Sequence, residues 1–337
     1  GRKSMFLNAT GADNVAIGTA TLQLNSTASN NTAVGFCSLH SNVSGASNVG
    51  VGINSLKFNT TAAGNTAVGA SALCKNTTAA NNTAIGRNAS ENTTTGANNV
   101  SVGSGAAFKN TTGASNVSVG TNSFKCNTTG GSNVAVGLSA LFNNTTASNN
   151  VAVGKNALLA NTTGASIVAV GAGAMSSNTT GGNNVAIGQN ALAANTTNTT
   201  NIAIGSSALA ANNAAGDNMA IGQQAGTTNT SGFHLTAIGH YSLFANTTAQ
   251  GNTAVGHSAM KVTTTGATNT AVGKETLRFN TTGAENTALG YSALCKNTTG
   301  GANTAVGLNA LLDATTSTSN TAVGVEALQN VTTGTGS

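Results

Sequence analysis

The sequence predicts an all-β protein of the β-solenoid class, in which the chain winds through about twenty coils of 17 residues each. Three observations support this prediction. A glycine recurs every 17 residues without insertion or deletion, a short β-branched segment precedes it, and turn-forming residues separate these segments. Because stacked coils share one backbone geometry, a coil of different length would disturb its neighbours. A constant period is therefore typical of a solenoid.

The recurring glycine follows Val, Ile or Leu in all nineteen complete repeats, and we number each coil from it as position 0. Glycine lacks a Cβ, so it permits unusual backbone angles or a close approach of another segment, and we expect it to form a corner. We call these residues the corner glycines. The first eight that end a complete repeat are Gly18, Gly35, Gly52, Gly69, Gly86, Gly103, Gly120 and Gly137.

The residues before each corner glycine alternate in size. Positions −3 and −1 are mostly β-branched, whereas position −2 is Ala in sixteen repeats and Ser101, Ser118 or Gly50 in the others. This alternation predicts a strand. We expect the larger residues to face inward together with the usual Leu at position +4, giving two short strands and two turns per coil.

A row confined to Ala, Ser and Gly at position −2 would then face outward, where a row in contact with water should drift among polar residues. The sequence therefore predicts that this row is a lateral self-association face. The alternative is that the row faces water because nothing larger fits beside the corner. The candidate residues are Ala16, Ala33, Ala67, Ala84, Ala135 and Ala152.

Position −4 is Asn in seventeen of nineteen repeats, with only Ile167 and Leu235 departing. Stacked identical Asn side chains can form hydrogen bonds along a ladder. Asn is also a common turn residue, but a turn would accept Asp, Ser or Gly as readily. The first members of the predicted ladder are Asn14, Asn31, Asn48, Asn65 and Asn82.

A second Asn, at position +7, begins the Asn-Thr-Thr turn and forms an Asn-x-Ser/Thr sequon in fifteen of twenty coils. Two readings remain open. The motif is turn chemistry with accidental sequons, or it is an exposed glycan stripe if the chain passes through a eukaryotic secretory route. Candidate glycosylation residues include Asn8, Asn25, Asn42, Asn59, Asn76, Asn161 and Asn297.

The amino-acid composition indicates whether the chain is ordered and how it is organised into domains. Charged residues are 6% of the chain and the formal net charge is +5, which argues against disorder driven by charge. We expect one continuous array over residues 1–337 without separate caps, no membrane insertion and no signal peptide. Solenoids normally need caps, so coils either continue beyond this sequence or copies stack end to end.

The sequence predicts no enzyme, and no catalytic, cofactor or metal site. No two acidic residues share a position in adjacent coils, and no nucleophile elbow is present. His240 and His257 share a position beside Tyr241, but two surface histidines explain them better than a metal site. The cysteines are predicted to be free or to form interchain links. The basic residues indicate a solvated face rather than a nucleic-acid track.

The strand "NTAVG" or "NVAIG", the following "xxAL" and the "NTTG" turn resemble the head repeats of trimeric autotransporter adhesins of the YadA type. They resemble still more the longer arrays of phage-type tail fibres and surface fibre proteins. This resemblance implies a left-handed β-roll, homotrimers and a role in attachment. The 17-residue coil is longer than the coil usual in the adhesin family.

These observations predict a stiff, non-enzymatic structural fibre outside the cell, on the cell surface or on a virion. It would self-associate laterally as a trimer or other homo-oligomer, end to end as a filament, or both. The first alternative is an adhesin that binds surface glycans or a receptor through a corner patch such as Phe108, Lys125 and Phe142. The second is an ice-binding protein, against which we set the expectation that Thr at position −3 faces inward.

Overall fold

A computed structural model describes residues 1–336, in which the secondary structure consists of short strands and turns without any helix. This confirms the predicted all-β class and the 17-residue coil. The nineteen three-residue strands are β1 Val15–Ile17, β2 Thr32–Val34, β3 Val49–Val51, β4 Thr66–Val68, β5 Thr83–Ile85, β6 Val100–Val102, β7 Val117–Val119, β8 Val134–Val136, β9 Val151–Val153, β10 Val168–Val170, β11 Val185–Ile187, β12 Ile202–Ile204, β13 Met219–Ile221, β14 Thr236–Ile238, β15 Thr253–Val255, β16 Thr270–Val272, β17 Thr287–Leu289, β18 Thr304–Val306 and β19 Thr321–Val323.

The chain divides by its contacts into two compact units, and each unit is a β-solenoid. Unit 1 spans Gly1–Ile167 and holds β1 to β9, whereas unit 2 begins at Val168 and holds β10 to β19. Within each unit every strand pairs in parallel with the strand 17 residues later. Ala67, for example, lies opposite Ala84, and Ala254 opposite Ala271. Residues at equivalent positions of successive coils therefore form columns, and neighbouring residues within a column are about 4.8 Å apart.

The orientation of the strands is the reverse of the predicted one. In eighteen of the nineteen strands the middle residue is buried, while the residues on either side of it are half-exposed or exposed. In β4, Ala67 has no exposed surface and Val68 is 36% exposed. The coil is so thin that only Ala, Ser or Gly fits inside at this position, and so the larger residues face outward.

The prediction of a second strand in each coil is also wrong, because the segment after the corner is a turn. Positions +3 and +4 are buried one after the other, as at Ala72 and Leu73. Consecutive residues of an extended strand point to opposite faces, so a strand could not bury both. The chain instead places position +4 in the left-handed region, with φ of 48° at Leu73 and 51° at Leu158. The inward direction predicted for Leu is confirmed.

Small changes in the core of unit 1 compensate one another. Ser38 and Ser55 share a hydrogen bond of 2.8 Å between their hydroxyls, and a Cβ on Gly50 would lie 2.5 Å from the Ser38 Oγ. Glycine therefore replaces the usual Ala where serines occupy the adjacent space. Further along, Ala107 and the fully buried Phe124 take the positions of Leu in successive coils, so that a large side chain follows a small one.

Candidate functional site

The corner glycines lie where coils approach most closely. The eight predicted corners, from Gly18 to Gly137, have φ between 125° and 135°, in a region that residues with a Cβ rarely adopt. A Cβ on any of these eight would also lie 2.5–2.7 Å from the carbonyl oxygen of the corner glycine in the next coil. Backbone angle and space both require glycine here, which explains why the residue never varies.

The predicted Asn residues at position −4 form a buried column, which we call the strand column. The backbone N–H of Asn48 donates to the Asn31 Oδ1 at 2.9 Å, and the N–H of Asn65 donates to the Asn48 Oδ1 at 2.9 Å. Asn31 and Asn82 continue the same pattern toward Asn14 and Asn65. The side-chain oxygen thus accepts mainly from backbone, whereas the sequence led us to expect amide-to-amide bonds.

The Asn residues at position +7 form a second buried column, which we call the turn column. The Asn59 Nδ2 donates to the Asn42 Oδ1 at 2.8 Å and to the Ala62 carbonyl at 2.9 Å. Asn127 repeats both bonds, to the Asn110 Oδ1 at 2.7 Å and to the Gly130 carbonyl at 3.0 Å. In this column the amides do bond directly to one another.

The predicted glycan stripe is therefore corrected. Glycan attachment needs an accessible side-chain amide, but six of the seven candidates have no exposed surface and donate Nδ2 hydrogens inside the coil; only Asn8, in the first coil, is partly exposed. The six buried residues are Asn25, Asn42, Asn59, Asn76, Asn161 and Asn297. From the sequence we expected position +7 to lie in a surface turn, although it is Asn in sixteen of twenty coils, nearly as regular as position −4.

The turn column is interrupted at Thr93, Thr263 and Ala314. The asparagine one coil before each interruption, at positions 76, 246 and 297, has a buried Oδ1 without a hydrogen-bond partner. The hydroxyls of Thr93 and Thr263 are likewise buried and unpaired. Elsewhere in the column the next asparagine supplies this donor, as Asn59 does for Asn42. Asn195 is an exception, since its buried Oδ1 has no partner although Asn212 follows in the next coil.

The structure contradicts the predicted self-association face. Of its six residues, Ala33, Ala67, Ala84, Ala135 and Ala152 have no exposed surface, and Ala16 is only partly exposed. Their methyl groups fill the core, so they cannot contact another chain. The surface that the strands expose is formed by positions −3 and −1. We call this surface the strand face.

The strand face combines apolar residues, mostly Val and Ile, with threonines, and it holds no charged residue. Val100 and Ile187 are 37% and 38% exposed, respectively. From β14 to β19 position −3 is Thr in six successive strands, beside an Ile, Val or Leu at position −1. These threonines point outward, so our expectation that they face inward is wrong.

The candidate corner patch is partly assembled. The Lys125 Nζ lies 5.4 Å from the centre of the Phe142 ring, a cation–π distance. Phe108 and Lys125 line a shallow depression of about 190 Å³ in unit 1. In unit 2, the rings of His240 and His257 lie 5.4 Å apart, with a third aromatic ring, that of Tyr241, against His240.

The surroundings of two cysteines disfavour their thiolate forms. Burial raises the pKa of the Cys74 thiol, with the nearby Glu91 carboxylate as a second cause. Burial likewise raises the pKa of the Cys295 thiol, followed by the charge of Glu275. Both thiols therefore stay protonated at neutral pH. All four cysteines are free in the structure.

No family model matches this sequence, and the search of curated proteins found no match either. Within residues 1–336 there is no helix long and apolar enough to cross a membrane.

Proposed function

We propose that this chain is a non-enzymatic structural protein that self-associates laterally through the strand face to build an extracellular or virion-surface fibre. The observation that carries the proposal is the uncharged, half-exposed strand face itself. In unit 1 nine strands at about 4.8 Å spacing, each presenting a strip about 10 Å wide, give a patch of roughly 400 Å². Apolar patches of this size commonly mark interaction sites.

A second copy of the chain is the partner that fits this surface best. The strand face is flat and in register, and repeats every coil, so an identical face offers matching rows over its whole length. The resemblance to trimeric adhesin heads supports three as the number of copies. The same resemblance supports a location outside the cell and a role in attachment.

The test is to place charges on the strand face and to measure the mass of the assembly. We expect the Val119→Lys/Val136→Lys variant to remain monomeric in sedimentation equilibrium and to show single rather than bundled particles by electron microscopy. The matched control, Thr112→Lys/Thr129→Lys, places the same charges on exposed turn residues and should assemble like the unmodified chain. A monomeric unmodified chain at tens of micromolar would overturn the proposal.

Ice binding is a second candidate, favoured by the outward threonines of β14 to β19. Six threonines in successive strands form a row with a step of about 4.8 Å, and the aliphatic row lies two residues away, at about 6.8 Å. Regular rows of hydroxyl and methyl groups on a flat sheet can order water. Because the same face cannot bind ice and a second copy together, this function requires a monomer.

Thermal hysteresis separates the two candidates. We expect no hysteresis if the strand face is covered by another copy. Hysteresis that disappears in a Thr270→Lys/Thr287→Lys variant, but persists in a Thr265→Lys/Thr282→Lys control, would establish ice binding and displace the fibre proposal. The control residues are the exposed second threonines of the turn motif.

A further inference from the structure

The basic residues occupy one side of the coil. All twelve lysines and arginines lie at positions +1, +2, +5 or +6, in the turn segment that follows the corner glycine. They are Arg2, Lys3, Lys57, Lys75, Arg87, Lys109, Lys125, Lys155, Lys261, Lys274, Arg278 and Lys296. Only four of the seven acidic residues share this segment, and the other three precede the strands at position +12. The chain therefore segregates its positive charge.

Five of these cations follow one another in five successive coils of unit 1, and we call them the basic run. They are Lys57, Lys75, Arg87, Lys109 and Lys125. At about 4.8 Å per coil the run extends over roughly 19 Å. Of the twenty residues at positions +1, +2, +5 and +6 of these five coils, fourteen are neutral, and Glu91 is the one carboxylate.

Within residues 1–336, none of the five cations forms an ion pair. The two ion pairs of the described chain lie in unit 2, where the Arg278 Nη1 is 3.4 Å from Glu275 and the Lys296 Nζ is 2.7 Å from Asp313. The partners of these cations are neutral, as where the Lys75 Nζ donates to the Asn92 Oδ1 at 2.7 Å, so the basic run keeps its positive charge. Their field is felt nearby, since Lys57 lowers the pKa of His40 after the larger effect of burial.

The depression of about 190 Å³ lies in the middle of the basic run. Ser104 and Gly105 are the small residues of its lining, and they lie between the coil of Arg87 and the coil of Lys125. The polar and aromatic groups that line it are Arg87, Lys125, Asn88, Asn122 and Phe108.

These groups match the chemistry of an acidic sugar. A guanidinium and an ammonium bind carboxylate or sulfate, and amide side chains both donate to and accept from hydroxyl groups. The half-buried Phe108 ring offers an apolar surface to the C–H face of a pyranose. Successive rings of a linear polysaccharide also advance by a length similar to one coil step, so that a polysaccharide lying along the stack of coils passes one cation in each coil.

We propose that the basic run binds a linear acidic polysaccharide, with one acidic sugar ring held in the depression between Arg87 and Lys125. This site is independent of the strand face and of self-association. A single-stranded nucleic acid fits less well, because it needs free aromatic rings on which bases stack. Here Phe58 and Phe142 are already covered by the ammonium groups of Lys57 and Lys125, which leaves Phe108.

The experiment measures binding of a sulfated uronic-acid hexasaccharide to the full chain by calorimetry at two salt concentrations. A neutral glucan hexasaccharide and a single-stranded oligothymidine of equal charge are the comparison ligands. We expect the sulfated sugar to bind more tightly than either. Arg87→Gln/Lys125→Gln should lower its affinity at least tenfold, and Phe108→Leu several-fold without changing the salt dependence.

The control variant Lys155→Gln/Lys274→Gln removes the same charge from sites outside the basic run. It should change affinity less than twofold. Equal losses in the two double variants would show non-specific attraction and overturn the site, as would the absence of binding. Tighter binding of the oligothymidine would overturn the proposal in favour of nucleic acid. Because all four substituted cations are surface residues, unchanged circular dichroism should accompany every result.

Discussion

The two asparagine columns differ in what they bond to, and this difference decides which substitutions each tolerates. In the strand column the side-chain oxygen accepts from the backbone N–H of the next coil, which every residue except proline supplies. Ile167 and Leu235 interrupt this column of asparagines. Their backbone N–H groups nevertheless donate at 3.0 Å to the Oδ1 of Asn150 and of Asn218, respectively. In the turn column the donor is a side chain, and each interruption leaves an unpaired oxygen.

A substitution in the strand column thus leaves the asparagine of the preceding coil satisfied, whereas a substitution in the turn column leaves an unpaired oxygen there. The two columns also meet within each coil. In the coil of Gly120, the Asn116 Nδ2 and the Asn127 Nδ2 both donate to the Gly130 carbonyl, at 3.0 Å each. Substitutions within this one coil can therefore test the comparison directly.

The largest effect is expected from Gly120→Ala, which moves the corner that both columns share. The new Cβ would lie 2.6 Å from the Gly137 carbonyl oxygen, at a φ of 129°. We expect the local free energy of unfolding to fall by at least about 3 kcal/mol. Hydrogen exchange of backbone amides in the neighbouring coils measures this loss. Exchange as slow as in the unmodified chain would contradict the assigned role of the corner.

Asn127→Ala should rank second. It removes the donor to the Asn110 Oδ1 and the acceptor of the Asn144 Nδ2. Two buried groups lose a hydrogen-bond partner, and each unsatisfied group costs about 1–3 kcal/mol. We therefore expect the local free energy of unfolding to fall by about 3 kcal/mol. Hydrogen exchange should show the loosening in the coils on both sides of the substitution.

Asn116→Ala, in the strand column of the same coil, should cost less. The backbone N–H of residue 116 still donates to the Asn99 Oδ1. The N–H of Asn133 loses its acceptor, while the Asn133 Nδ2 loses one bond and keeps those to the carbonyls of residues 131 and 147. We expect the local free energy of unfolding to fall by about 1–2 kcal/mol, as measured by the same hydrogen exchange. If Asn116→Ala proved as costly as Asn127→Ala, the distinction between the columns would be wrong.

The smallest effect is a gain. Thr93→Asn should repair the turn column by supplying a donor to the unpaired Asn76 Oδ1. We expect a stabilisation of about 1 kcal/mol, seen as slower exchange and a higher melting temperature. The control Thr95→Asn changes an exposed residue two positions away and should leave both unchanged.

The period, the strand class, the corner glycines and the inward Leu could be predicted because each depends on a local rule. Which residues of each strand point into the core could not be predicted, because alternation of large and small residues defines two faces without showing which one is buried. Size suggested that Val68 is inside, but the coil is too thin for it and buries Ala67. The buried turn column was missed because Asn-Thr-Thr is ordinary turn chemistry, and turns usually lie at the surface.

The positive φ of Leu73 and its equivalents could not be foreseen either, since bulky residues disfavour the left-handed region. Burying Ala72 and Leu73 in succession requires it. The residues of the basic run can be read from the sequence, but we had interpreted them only as a solvated face. What the sequence lacked was the depression beside Phe108, which depends on the heights of neighbouring side chains.

The turn column also has a direction. In most coils the asparagine donates its side-chain N–H to the preceding coil, as Asn76 does to Asn59 and Asn144 does to Asn127. A coil that ends in such an asparagine therefore presents an open acceptor to the coil that follows it. A chain synthesised from its amino terminus finds this acceptor in place, so that folding can follow the ribosome as a front that advances coil by coil.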